Sequence, residues 1–121
     1  MLIRSQNREV LINLNSMAGI EIAEGPIKTI ITSYITGCSY LLGEYSTKAK
    51  AMKVLDMIQK AYADFESAKI TSTGLVTVVY TGSYDTPDRV VDCKIKALKD
   101  YVKMIRESVI FQMPEDRSVE V

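Results

Sequence analysis

The apolar residues of this chain change their spacing near Ser46 and Thr47, from a period of two to a helical repeat. In a chain of 121 residues, enough for one ordinary domain, that switch demands a helix laid on a sheet. Before it, Leu2-Ile3-Arg4 alternates, and Gln6-Asn7-Arg8-Glu9 supplies a polar turn. Val10, Ile12 and Leu14 then share one face, and so do Ile20 and Ile22, until Glu24-Gly25-Pro26 ends the run. Ile27 to Thr36 reads as the strongest strand, with Ile27, Ile31 and Ile35 on one face and Ile30 and Tyr34 on the other. Gly37-Cys38 is expected to form a two-residue hairpin turn leading into Ser39–Tyr45.

After the switch, Ser46 or Thr47 can cap a helix of about five turns. Its apolar arc is Ala51, Leu55, Ile58, Tyr62 and Phe65, widened by Val54, Met57 and Ala61. Leu75-Val76-Thr77-Val78-Val79-Tyr80 has high β propensity between glycine-containing brackets, so an additional strand is expected there. Thr86 as N-cap, Pro87 and Asp88 then open a second helix, whose stripe is Val91, Ile95, Leu98, Val102 and Ile105. Val109–Met113 reads as a last short strand before Pro114, and the tail 115–121 is expected to fray. The expected fold class is therefore α+β. An antiparallel β-meander of about five strands is packed by one long helix, followed by a strand-plus-helix excursion and a final short strand. All of it forms a single domain, with the core in 1–67, the excursion in 68–108 and the last strand in 109–114.

Several function classes are disfavoured by the residues themselves. Histidine is absent, which removes the usual general base near neutral pH and the commonest metal ligand. Two cysteines, Cys38 and Cys93, form no CxxC motif or zinc cluster; reduced thiols in a cytoplasmic protein are expected, with a pairing left open. The first residues turn polar by Arg4, and no apolar run approaches the ~20 residues of a membrane span, so neither a leader nor a membrane partner is expected. The acidic residues Glu21, Glu24, Glu44, Asp85 and Asp88 all have ordinary readings as strand-end or helix-start groups. No nucleophile elbow and no phosphate-binding loop accompany them, so no catalytic residue, cofactor or metal is expected.

Two surfaces remain. Lys96, Lys99, Lys103 and Arg106 fall within a limited arc, read as opposite the apolar stripe of the second helix, and could meet phosphates. Four such contacts would give a salt slope of ~−3.6. Fifteen basic residues balance fifteen acidic ones, so no global field assists that binding, which would be weak. The second surface is apolar: a five-strand sheet covered by one helix leaves Leu11, Ile30 and Tyr34 on its reverse face, and Met52 and Met104 lie at the edges of the helix stripes. These five are the candidate interface residues of a homo-oligomer.

Several fragments also resemble a known group. Met1-Leu2-Ile3-Arg4-Ser5-Gln6, Leu42-Gly43-Glu44-Tyr45-Ser46-Thr47 ahead of a helix, and Phe111-Gln112-Met113-Pro114 together resemble a group of small uncharacterised proteins of Gram-positive bacteria and their phages and mobile elements. The likeness covers residues 1–65 and 109–114. It implies a setting and no mechanism. The expected function is a non-enzymatic, self-associating protein-interaction or assembly module, with a weak nucleic-acid-binding accessory protein as the alternative.

Overall fold

In the computed structural model the backbone is described for residues 1–81 and 88–121, and the side chains for the same residues apart from 72–91 and 94. The architecture is α+β, with six strands and two α-helices among the described residues. The strands are β1 (Leu2–Arg4), β2 (Leu11–Asn13), β3 (Gly19–Glu24), β4 (Thr29–Ile35), β5 (Cys38–Tyr45) and β6 (Ile110–Gln112). The helices are α1 (Lys48–Thr81) and α2 (Asp88–Ser108). The chain divides into two compact units, Met1–Tyr62 with Ile110–Val121, and Ala63–Val109. The second unit begins five residues before the excursion drawn from the sequence.

In place of one five-stranded meander there are two three-stranded sheets, ordered β2-β1-β6 and β3-β4-β5. The break lies at Leu14–Ser16, a single 3-10 turn between β2 and β3 capped by the Asn13 side chain, which accepts from Asn15 N–H. The free side of β1 is then taken by β6 in parallel, Ile3 opposite Phe111. A parallel neighbour must come from a distant part of the chain, which adjacency along the sequence cannot reveal. The β1–β2 hairpin closes on Ser5, whose N–H donates to Val10 C=O at 2.8 Å and whose Oγ accepts from Val10 N–H at 2.9 Å. Arg8, at φ 66°, takes the left-handed position in that turn.

The strand β4 starts at Thr29, two residues later than the β-branched run, and Ile27 lies outside it, 86% exposed. Within it Thr29, Ile31 and Ser33 are buried and alternate with partly covered neighbours. The turn into β5 uses Thr36 and Gly37, because Ile35 pairs with Cys38, and Gly37 carries the positive φ of 81° at the second central residue. Further along, Ile31 faces Gly43 while Thr32 faces Leu41, so Leu42 is an unopposed β-bulge residue. Leu42 and Tyr45 of β5 are buried.

Thr47 caps α1, its Oγ accepting from Lys50 N–H at 3.3 Å. The helix packs against the sheet through Ala51, Val54 and Ile58, all buried, while Leu55 is half-covered and Met52 and Met57 are exposed. It does not stop after five turns. Leu75–Tyr80, expected as a strand, continues α1 to Thr81. Adding a residue to a formed helix needs no new nucleation, whereas a strand there would require a partner edge for its N–H and C=O groups. The expected capping by Thr86 and Pro87, and Asp85, lie outside the described residues.

The C-terminal tail is ordered, contrary to the expectation of fraying. Val119 is buried, and Asp116–Ser118 forms a second 3-10 turn. Two buried side-chain groups have no partner among the described residues, Arg4 Nε and Ser33 Oγ.

Candidate functional site

The fragments that carry the resemblance come together in the first unit. Gln6, just past β1, donates its backbone N–H to Leu42 C=O at 2.7 Å, using the carbonyl that the bulge frees from the ladder. Its carboxamide then behaves as an extra peptide group beside β5. Oε1 accepts from Glu44 N–H at 3.0 Å, and Nε2 donates to Glu44 C=O at 3.3 Å and to Pro114 C=O at 3.0 Å. Tyr45 Oη donates to the same Pro114 carbonyl at 3.0 Å, and Gln112 Nε2 donates to Ser5 C=O at 3.0 Å. Burial, with the Asp116 carboxylate adding to it, pushes the Tyr45 phenol up to about 12, so it remains a donor through the neutral range.

Asp116 completes this lattice. Its Oδ1 accepts from Ser46 N–H at 2.8 Å and from Ser46 Oγ at 3.0 Å, and Lys50 Nζ donates to its C=O at 2.8 Å. The Ser46 backbone donor, helped by the Ser46 hydroxyl and Lys50, holds its carboxyl below the usual aspartate range. Lys53 Nζ bonds the Glu120 carbonyl one turn further along α1. Every polar atom in these contacts is engaged in joining β1, β5, α1 and the tail. Such an arrangement ties these elements together.

Two of the acidic residues are also paired. Glu44 pairs with Lys28 at 2.7 Å and Glu24 pairs with Lys48, while Glu21 is exposed on β3. The hydrogen bond to Glu44 raises the Lys28 ammonium above its ordinary value. Among the described residues no group of three or more Cys, Asp or Glu side chains could hold a metal ion, and no helix is long and apolar enough to cross a membrane. Cys38 and Cys93 are both free and exposed.

The five candidate interface residues lie on four elements. Leu11 is exposed on β2 in the first sheet, whereas Ile30 and Tyr34 lie on β4 in the second. The single sheet whose reverse face they were expected to share is two sheets. Ile30 is half-buried, and the Tyr34 ring covers its cross-strand partner Gly19, where an added Cβ would fall 2.7 Å from the phenol oxygen. Met52 is exposed on α1, and Met104 is exposed on α2 beside Asp100 and Tyr101.

On α2 the four cations are exposed. Lys99, Lys103 and Arg106 line one open depression of about 400 Å³ together with Leu98 and Val102, and Lys96 is not among its lining residues. At about 100° per residue Lys99 and Arg106 flank the apolar stripe, while Lys96 and Lys103 lie further round, about 120–140° from its centre. Lys103 also reaches Glu107 at 3.9 Å. The stripe itself is incompletely covered: Ile95 is 40% and Val102 39% exposed, with Leu98 and Ile105 half-buried. The spacing of these residues is visible in the sequence, but their exposure is a tertiary property that spacing cannot give. A scan against protein-family models gives no match to this chain, and searches of curated proteins and of solved structures give none either.

Proposed function

We propose that the chain is a non-enzymatic protein-interaction module that assembles with copies of itself. The observation that carries this reading is the apolar stripe of α2, where Ile95 and Val102 keep a large share of their surface in water. Contiguous apolar surface of this kind favours association, since covering it releases free energy in proportion to area. The reading includes a cytoplasmic location, supported by two unpaired, exposed thiols, and a setting in Gram-positive bacteria, their phages or mobile elements, which rests on the resemblance alone. The alternative, a weak nucleic-acid-binding accessory protein, draws on the depression lined by Lys99, Lys103 and Arg106. With three phosphate contacts in place of four, its salt slope would be about −2.7, a loss of about 40-fold between 50 and 200 mM.

Static light scattering from micromolar to millimolar protein tests the proposal. The mass is expected to climb from 13.5 kDa towards an integer multiple as concentration rises. A mass of 13.5 kDa at every concentration would remove it.

A further inference from the structure

The charges beside the α2 stripe are ordered along the helix. Asp92, Lys99 and Arg106 recur every seven residues, so on a helix of about 3.6 residues per turn they share one flank of the stripe. That flank is acidic towards the N-terminal end and basic towards the C-terminal end. A two-fold parallel copy would set this flank against the opposite flank of its partner's stripe, so Asp92 and Arg106 of the two copies would not face each other. An antiparallel copy reverses the order and brings each Asp92 to an Arg106. The stripe accepts the same arrangement, because Ile95, Leu98, Val102 and Ile105 are spaced three, four and three apart and read the same in both directions.

Resting on the self-association reading above, we infer that α2 is the element through which two copies of this chain join, paired antiparallel. Ile95 of each copy meets Ile105 of the other, Leu98 meets Val102, and Asp92 lies beside Arg106. In this register the sequence offset between Asp92 and Arg106 is two residues, about 3 Å of helix rise, which the arginine side chain spans. The two Lys99 side chains fall near the symmetry axis, where their stems cover the stripe and their ammonium groups turn outward to water. Lys103 has an acidic neighbour of its own in Glu107. The contact is short, so its strength depends on the match of charges as well as on apolar area.

The decisive experiment is a charge swap read as dimer dissociation constant by light scattering, with circular dichroism to confirm helix content. Asp92→Lys and Arg106→Glu each reverse two contacts per dimer and are expected to weaken association by about tenfold. An equimolar mixture of the two single variants, and the double variant carrying both changes in one chain, should each return to wild-type affinity, since opposite charges again face one another. Singles that associate like wild type, or a mixture and double variant as weak as the singles, would overturn antiparallel α2 pairing while self-association itself stood. A wild-type chain that never associates would remove the underlying reading too.

Discussion

Replacing Ile31 with alanine is expected to cost the fold about 3–4 kcal/mol, and replacing its neighbour Ile30 about 1 kcal/mol. The two residues are adjacent in β4 and identical in chemistry, but alternation sends them to opposite faces of the second sheet. Ile31 is 0% exposed, sits opposite Gly43 and has Leu42 buried nearby; glycine has no side chain that could move into the space left by truncation. The loss is therefore the transfer term plus a cavity. Ile30, opposite Ala23 and Glu44, already shares its surface with water. Since ordinary domains are stable by about 5–15 kcal/mol, Ile31→Ala alone removes a large fraction of the total. Urea unfolding followed by tyrosine fluorescence measures both, and equal costs for the two would contradict the assignment of faces.

Gln6 carries the second large effect. Gln6→Ala removes three side-chain hydrogen bonds and leaves Glu44 N–H and the Glu44 carbonyl without the carboxamide, at about 2–3 kcal/mol. Gln6→Glu is the sharper variant because it preserves shape. It retains an acceptor for Glu44 N–H but replaces the donor to Glu44 and Pro114 with an oxygen facing two carbonyl oxygens. The expected cost at neutral pH is at least as large as that of alanine. It should shrink in acid, where a protonated carboxyl regains one donor. If Gln6→Glu unfolds at the wild-type urea concentration, Gln6 does not join β5 to the tail.

The strand positions that bury one face were legible because period two needs only local residues. Ile12 is buried and Leu11 and Asn13 are exposed, as the alternation implies. Ile27 shows the limit of that reading: its pattern matches Ile31 and Ile35, but β4 begins only at Thr29 and Ile27 stays in solvent. The division into two sheets depends on β6 returning beside β1 from more than a hundred residues away, and no local pattern encodes that pairing. Leu75–Tyr80 failed for a different reason. Its β propensity is real, but a helix already running from Lys48 sets its conformation. The roles of Gln6 and Asp116 were not legible at all, because a polar residue in a turn and one in a tail acquire meaning only from distant carbonyls and amides. On α2 the cations and the stripe could each be read from spacing. Lys99 and Arg106 flank the stripe that the four were read as opposing, and the depression that Lys99, Lys103 and Arg106 share with Leu98 and Val102 appears only in three dimensions.

Hydrogen exchange on the intact chain, compared at dilute and concentrated protein, tests the central claim that association runs through α2. Amides between Ile95 and Arg106 are expected to slow as concentration rises, while β1 to β5 and the tail exchange at unchanged rates. Concentration-dependent protection confined to the strands, with α2 unaffected, would contradict it.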